Sequence, residues 1–504
     1  MKTFSYVTII GISVSAFVYF FISFKIFRNT TRLSDHLPIA GEGREARVAT
    51  SKEFSSATVA TTISLATVVL VFSELASYMG TWLYWTAITT ATGIWVVRKS
   101  SSVIWRRLAE KREWRPTLHE FLGASYSSPL LSKGAAMCTC LGFIGALAVE
   151  LTVGSRFFSA LVPAVPFWVA LLIIAGIGVG YTMLGGFRAV IVTDRIQMAA
   201  IWGAVVALGM LVLIRVHDVG GVGNLVKALP PSVYNFSSRD GLLSFLIGIA
   251  VINIPTFLAD MSIWQRIAAS KDESTVSEGL GGSVIGAIFS WMAFATIACL
   301  IVGIVPIKEG ENPLLTFIKV IGTNFNFVGS IGLVVGITGL YAASLSTAST
   351  QLIAASHAIH TDILGIRNKM EKKSFTESRS ELIMSRIIIG LSSVVSIAVV
   401  EGLQFLGFTI ADLVFAVYGA QLGMVPVVVV ALISKSTQLH QLNQIATYSV
   451  FLGFFGGWGA AILGKVLSNS DLVFLAPAIS LIISTMIMGV GYLSLKRIEE
   501  KVSA

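Results

Sequence analysis

The sequence predicts an all-α integral membrane protein with about thirteen transmembrane helices. Its 504 residues are 55% hydrophobic and 12% charged, whereas soluble domains carry about a quarter charged residues. The mean hydropathy is +0.81, and apolar runs recur from end to end without a long polar block. We therefore expect a single transmembrane domain, 1–504, although length alone would suggest three or four soluble domains.

The individual spans follow from the length of each apolar run, because a bilayer core needs roughly 20 apolar residues per helix. The first run is too long for the core of a signal peptide and has no basic cluster before it, so it counts as a span. The predicted spans are 5–27, 54–76, 79–98, 133–160, 164–184, 189–214, 240–264, 279–306, 328–360, 383–401, 405–433, 443–465 and 471–494.

Basic residues predict how these spans are oriented. With thirteen spans, 28 of the 36 Lys and Arg residues lie in or beside loops on one side, seven lie on the other side, and Arg156 lies within a span. Because Lys and Arg collect in cytoplasmic loops, the N-terminus is expected outside and the C-terminus in the cytoplasm. The expected location is the cell membrane, which in a bacterium is the inner membrane.

The charge and motif content exclude several classes of function. The net charge of +9 could suggest that the protein binds nucleic acid. The basic residues of the cytoplasmic loops account for this charge, so the expected partner is the lipid bilayer and not nucleic acid. The sequence contains neither an H-E-x-x-H metal motif nor a G-x-S-x-G nucleophile elbow. We therefore expect no enzymatic activity and no organic cofactor, and the oligomeric state stays open.

Three polar stretches inside the spans carry a family resemblance. The stretch from span 5 to span 6 contains Gly185-Gly186, then Thr193-Asp194 and Gln197, and span 7 ends in Trp264-Gln265-Arg266. Span 9 contains 342–350, Ala-Ala-Ser-Leu-Ser-Thr-Ala-Ser-Thr, followed by Asp362, and 115–122 lies in a cytoplasmic loop. In this order and spacing the stretches resemble the sodium/solute symporter family, which includes the sodium/proline and sodium/glucose carriers.

The resemblance implies a LeuT-type core of two five-helix inverted repeats. They would cover 54–214 and 240–433, with 1–53 and 443–504 peripheral. In such folds the first helix of each repeat is interrupted at mid-membrane, where freed carbonyls bind ions and substrate. Span 7 has a candidate break at Asn253-Ile254-Pro255, since proline removes a helix hydrogen bond. Span 2 has neither Gly nor Pro between Phe54 and Met79, so its threonines and Ser64 are the only sign of a polar midpoint.

The resemblance also implies where sodium, the expected coupling ion and only metal, would bind. Span 9 places its candidates on one face, at i, i+3, i+4 and i+7. The implied first sodium site consists of the carbonyls of Ala60, Ile63 and Ala343 and the hydroxyls of Ser346 and Thr347. A second sodium would lie between Asp194, Ser346, Ser349 and Thr350. The alternatives are that these hydroxyls bond the preceding turn and that Thr193 and Asp194 cap the start of span 6.

Polar residues near mid-membrane are the candidates for binding a solute. Asn253 matches a substrate contact of the sugar-carrying branch of the family, and Gln421 falls in a similar region of span 11. The aspartate that the proline branch carries near Thr62 is missing, which leaves the substrate open beyond a small polar solute such as an amino acid, sugar or carboxylate. The complete set is Thr61, Thr62, Thr67, Asn253, Thr256, Phe257 and Gln421.

The predicted function is therefore sodium-coupled symport of this solute by alternating access. A transport-like membrane sensor and a proton-coupled carrier of the same fold are the alternatives. Two charges in span 4, Glu150 and Arg156, lie too far apart around the helix to pair with each other. Each is expected to meet a partner on another helix.

Overall fold

The computed structural model describes residues 2–39, 48, 50–109, 115–235, 240–307, 311–323, 327–365, 378–405, 410–434 and 439–503. All the regular secondary structure of these residues is helical, apart from one isolated β-bridge between Val48 and Ser270. Shorter helical segments lie at Leu33–His36, Gly80–Leu83, Val222–Ala228, Pro231–Tyr234 and Leu439–Leu442. The main helices are α1 (Lys2–Phe27), α2 (Ser51–Thr62), α3 (Val71–Met79), α4 (Tyr84–Ala109), α5 (Leu118–Ser125), α6 (Pro129–Leu161), α7 (Phe167–Asp218), α8 (Leu242–Thr256), α9 (Met261–Ala269), α10 (Glu273–Ile304), α11 (Pro313–Thr323), α12 (Phe327–Ala358), α13 (Arg379–Phe405), α14 (Ile410–Ala420), α15 (Val425–Ile433), α16 (Asn443–Val466) and α17 (Ser470–Ser503).

Eleven helical stretches of the described chain are long and apolar enough to cross a membrane. Their outward faces are apolar. Phe17 of α1 is 71% exposed, and Val466 and Val490 near the C-terminus are exposed to a similar degree. Water would penalise such a surface, whereas lipid solvates it. The protein is therefore a multi-pass membrane protein, as the composition predicts.

Helix α7 has 52 residues, which at 1.5 Å per residue is far longer than a bilayer core of about 30 Å. It is kinked at Gly186, whose φ of 60° and ψ of −154° are not helical. A Cβ atom at this position would lie 2.5 Å from the carbonyl oxygen of His36. The left-handed φ and this close approach together require glycine.

The first interrupted helix contains neither glycine nor proline at its break. Helix α2 ends at Thr62, Ile63 and Ser64 are extended, and a π-helical turn at Leu65–Leu70 leads into α3. The Ser64 hydroxyl accepts a hydrogen bond from the Thr67 amide at 2.9 Å. A serine side chain thus replaces the backbone bond that the break removes, so the interruption expected in span 2 is present.

The second interruption lies one turn beyond the predicted position. Helix α8 continues through Pro255 to Thr256, and α9 begins at Met261. Pro255 lacks the N–H that would bond the preceding turn, and the chain leaves the helix directly after it. Asp260 is extended and its carboxylate accepts from the Ser262 amide at 2.7 Å. The cap at Asp260, and not Asn253-Ile254-Pro255, therefore determines where α9 starts.

Helix α12 lies at the centre of the bundle. It packs against α1, α2, α6, α7 and α13, and its residues from 339 to 358 are all buried. Many of them are Ser, Thr, Gln or His. A buried polar helix needs partners on its neighbours, and those partners form the site described next.

Candidate functional site

A polar and aromatic cavity lies between the two interrupted helices. Its walls come from the ends of α2, α3, α8 and α9, together with α10, α12 and α14. Six of the seven residues predicted to bind a solute line it, namely Thr61, Thr62, Thr67, Asn253, Thr256 and Phe257. The structure thus brings together residues that are up to 196 positions apart in the sequence.

Gln421 is the exception among these seven. It begins a 3-10 turn after α14, is buried, and is not among the residues that line the cavity. Its side chain packs against Gly142 of α6, where a Cβ atom would lie 2.0 Å from Nε2. The tighter turn directs this side chain towards α6. Gln421 therefore does not lie in the cavity lining, where the sequence analysis expected it.

The polar atoms around the cavity are oriented mainly as hydrogen-bond acceptors. Thr61 donates its hydroxyl proton to the Thr58 carbonyl at 3.0 Å, and Thr62 donates to the Val59 carbonyl at 2.8 Å. Asn253 uses its amide protons on Thr86 and Thr89, the latter at 3.1 Å. Thr61 also accepts from Arg266 at 3.2 Å and Thr62 from Trp291 at 3.4 Å. Each hydroxyl then keeps one further lone pair for a ligand, and the side-chain oxygen of Asn253 is a third acceptor.

The break after α2 packs against α12, and these two elements carry the residues of the first predicted sodium site. Ala60 and Ile63 flank the end of α2, where the interruption removes the i+4 donors of a regular helix; the Ala60 carbonyl accepts from the Ile63 amide at 3.3 Å instead. On α12 the Thr347 hydroxyl donates to the Ala343 carbonyl at 3.1 Å. This back-bond leaves the oxygen lone pairs of Thr347 available. The donor set is therefore neutral and entirely oxygen, which suits a hard monovalent cation.

In the second predicted site, Asp194 and Ser346 are in direct contact. The Ser346 hydroxyl donates to Asp194 Oδ1 at 2.7 Å, and the Ser349 hydroxyl donates to the Ser346 carbonyl at 3.1 Å. The alternative that Asp194 caps a helix is wrong. The carboxylate lies two turns beyond the Gly186 kink, is fully buried, and contacts α12.

Sequence reasoning missed that Arg266 belongs to this cluster. Its Nη2 lies 4.0 Å from Asp194 Oδ2 and donates to Thr350 at 3.3 Å and to Thr61 at 3.2 Å. Asp194 Oδ2 is buried and has no hydrogen-bond partner among the described residues. A buried arginine needs a counter-charge. The arginine in the Trp264-Gln265-Arg266 motif was therefore the signal that an acidic partner such as Asp194 must lie close to it.

Glu150 of α6 meets a partner on another helix, as expected. Its carboxylate accepts from the Ser64 hydroxyl and from the Ala66 amide, the latter at 3.3 Å. Both donors belong to the break between α2 and α3. The buried acid therefore sits at the N-terminal end of the second half of the interrupted helix, where a negative group is stabilised by the helix dipole.

A separate polar cluster ties the loop helix α5 to the end of α12. His119 Nδ1 lies 2.7 Å from Asp362 Oδ2, and the Thr117 hydroxyl donates to Asp362 Oδ1 at 2.8 Å. Elsewhere in the bundle, Arg188 forms a bidentate pair with Glu53, at 2.9 and 3.0 Å. The His119–Asp362 contact is fully buried, whereas the Arg188–Glu53 pair is partly exposed.

The fold and the cavity together define a class of protein. Two interrupted helices that face each other across a polar cavity in the centre of a helical bundle are the arrangement of secondary transporters. The model of the sodium:solute symporter family matches residues 47–438. The chain therefore belongs to the sodium:solute symporter family.

Curated relatives agree with this assignment. The sodium/pantothenate symporter of Escherichia coli (strain K12) is 31% identical over 34% of this chain and 35% of its own length. The osmoregulated proline transporter of Bacillus subtilis (strain 168) is 27% identical over 59% of each chain. The chain thus matches about a third of the length of the first relative and about three-fifths of the second.

Solved structures show the same fold at low identity. A Na⁺-coupled sialic acid symporter, in a substrate-bound outward-open state, superposes with a TM-score of 0.74 at 18% identity, covering 96% of this chain and 97% of the other. A nucleobase-cation-symport-1 family transporter in a closed conformation superposes with a TM-score of 0.54 at 13% identity, covering 91% and 92%. The fold is of the LeuT type.

Proposed function

We propose that this protein is a sodium-coupled symporter that carries a small organic solute by alternating access. The observation that carries the proposal is the packing of the break after α2 against α12, the helix that contains Ala343, Ser346 and Thr347. This juxtaposition gathers carbonyl and hydroxyl oxygens from two helices that belong to different halves of the chain. Family membership and the sodium-coupled relatives support sodium as the ion that these oxygens bind.

Coupling follows from where the first sodium would bind. An ion held by Ala60 and Ile63 on one helix and by Ala343, Ser346 and Thr347 on the other links the two halves of the bundle. Sodium then stabilises the arrangement in which both sets of oxygens are close, and solute binding at the adjacent cavity shares that stabilisation. Because such coupling is reciprocal, each ligand raises the affinity for the other.

A second sodium between Asp194, Ser346, Ser349 and Thr350 is part of the same proposal. The buried Asp194 Oδ2, which lacks a hydrogen-bond partner among the described residues, supports a cation at this point. The Arg266 guanidinium at 4.0 Å balances the carboxylate when the ion is absent. The position then never holds an isolated buried charge, which would be costly in a membrane.

We also propose thirteen crossings, with the N-terminus outside and the C-terminus in the cytoplasm of a bacterial inner membrane. Two of the eleven membrane-length stretches support this count. One, Leu65–Ala109, joins α3 to α4, and the other is α7 with its kink at Gly186. Each is long enough for two passes. The inverted repeats would be 54–214 and 240–433, with 1–53 and 443–504 peripheral.

Cysteine labelling tests this orientation. Ser380 and Lys227 are both exposed, and the proposal places Ser380 in the cytoplasm and Lys227 outside. In intact cells a membrane-impermeant maleimide should label Lys227→Cys and leave Ser380→Cys unlabelled until the membrane is permeabilised. The reverse pattern would show that the orientation is inverted, and labelling of both from outside would refute the count of crossings.

Transport in proteoliposomes tests the function. The purified protein should accumulate at least one radiolabelled solute from a panel of amino acids, sugars, carboxylates and amines when sodium is high outside. A sodium ionophore should abolish the accumulation, because it removes the gradient. Uptake driven by a pH gradient without sodium would favour the proton-coupled alternative. A sodium-dependent rise in melting temperature without any uptake would favour a sensor.

A further inference from the structure

The charges around the cavity point to the kind of solute that it accepts. Among the described residues that line the cavity there is no lysine, arginine or histidine, and Asp260 is the only charged residue. Lys and Arg are the side chains that most often bind carboxylate groups. A solute with a net negative charge would therefore meet a carboxylate and no opposing cation from the lining.

Asp260 stands at the second break, where its placement is fixed by the fold. Its Oδ1 accepts from the Ser262 amide at 2.7 Å and caps α9, and the residue is part-exposed to the cavity. The nearest buried cation, Arg266, turns its donors to Ser262, Thr61 and Thr350. It lies within electrostatic range of both Asp194 and Asp260, so one positive charge is shared between two carboxylates. The guanidinium thus lies behind the hydroxyls of the lining.

The first break offers no place for an acidic solute either. The amide of Ala66, at the positive end of the second half-helix, already donates to the Glu150 carboxylate at 3.3 Å. Glu150 is 1% exposed and also accepts from Ser64. A half-helix N-terminus is where a carboxylate of a solute could otherwise bind. Here the protein supplies that carboxylate itself.

The remaining walls suit an organic cation. Seven aromatic rings line the cavity, from Phe72, Phe143, Phe245, Phe257, Trp291, Phe415 and Tyr418. The faces of such rings attract an ammonium group, with Trp the most effective. Thr61 and Thr62 present hydroxyl oxygens whose protons are donated to their own helix. Aromatic faces, acceptor oxygens and one carboxylate are the surroundings that a desolvated ammonium group requires.

We infer that the solute is a small organic cation, a primary to quaternary amine, whose positive group binds near Asp260 between the aromatic walls. The inference rests on the proposed function, because it names the class of solute carried by that same cavity. Asp260 is then a specificity-determining residue, and it contributes through its charge in addition to capping α9.

The charge preference of the cavity can be measured without knowing the solute. Thr67 lines the cavity and is part-exposed, whereas Cys138, Cys140 and Cys299 are buried. In a background with those three cysteines replaced by alanine, Thr67→Cys is reacted with a trimethylammonium-ethyl and with a sulfonatoethyl methanethiosulfonate. Each rate is divided by the rate of that reagent with free mercaptoethanol. The cationic reagent should then react about tenfold faster or more, as expected for a unit charge within several ångströms.

Two aspartate variants assign the preference. Asp260→Asn keeps a side chain that caps helices well but removes the charge, and should lower the preference at least about threefold. Asp272→Asn is the matched control. Asp272 caps α10 through the Thr275 amide at 2.8 Å and does not line the cavity, so the preference should not change.

Equal rates, or a faster anionic reagent, would overturn the inference. A cationic preference that survives Asp260→Asn would overturn the role given to Asp260. The readout needs neither uptake nor sodium. A protein that fails to transport with sodium but keeps the charge preference would therefore refute the proposed function and leave the cation specificity standing.

Discussion

Replacing Thr347 with alanine should raise the half-saturating sodium concentration for uptake by about tenfold. Thr347 donates its proton to the Ala343 carbonyl at 3.1 Å and lines the cavity, so its oxygen lone pairs remain for an ion. Losing one oxygen ligand in a site that strips water from sodium should cost about 1–3 kcal/mol, by analogy with an unmade hydrogen bond to a charged group. Each ~1.4 kcal/mol is a factor of ten in affinity.

The same variant should lose apparent affinity for solute at low sodium, because the coupling is reciprocal, and high sodium should restore much of the rate. Thr182→Ala is the matched control. Thr182 is equally buried and back-bonds to the Gly178 carbonyl at 2.7 Å, but it lies in α7 away from the cavity lining. Unchanged sodium activation in both Ser346→Ala and Thr347→Ala would mean that α12 does not bind the coupling ion.

Replacing Asp194 with asparagine should destabilise the protein by about 3–5 kcal/mol, since it leaves the buried Arg266 without its nearest carboxylate. It should also remove a ligand of the second sodium and so reduce the steepness with which uptake depends on sodium. The melting temperature and the Hill coefficient for sodium measure the two effects. Asp218→Asn, at the exposed end of the same helix, should change neither.

A double variant separates the two roles of Asp194. Asp194→Asn with Arg266→Gln removes both charges, so much of the stability should return, as is common when a buried ion pair is replaced by neutral groups. The sodium dependence should remain shallow, because the carboxylate ligand is still missing. Recovery of the steep sodium dependence together with stability would show that Asp194 serves only to balance Arg266.

The helices and the buried polar face of α12 could be predicted because each depends on a local pattern. Long apolar runs mark spans wherever they fold, and the i, i+3, i+4 spacing of Ala343, Ser346 and Thr347 places them on one face of any helix. The interruption of span 7 was predictable to within a turn, since Pro255 acts on its own helix. The interruption of span 2 had a weaker signal, because Ser64 supports it through a side-chain cap.

Partners that lie far apart in the chain were decided by the tertiary structure alone. Ser346 and Asp194 are 152 positions apart, and Ser64 and Glu150 are 86 apart. No spacing rule links such residues, because their contact depends on how whole helices pack. The side-chain direction of Gln421 likewise depends on a 3-10 turn against α6.

By itself the sequence determined the kind of molecule: a bundle of lipid-facing helices, with polar stretches whose order and spacing indicate the sodium/solute symporter family. Composition and helical periodicity are sufficient for this, because they act within single helices. Only the tertiary structure decided that Arg266 faces Asp194 and that Glu150 occupies the first break. It also decided that, among the described residues, the cavity lining contains Asp260 and no basic residue. The charge that a cavity presents is a sum over several helices, and it exists only once those helices have packed.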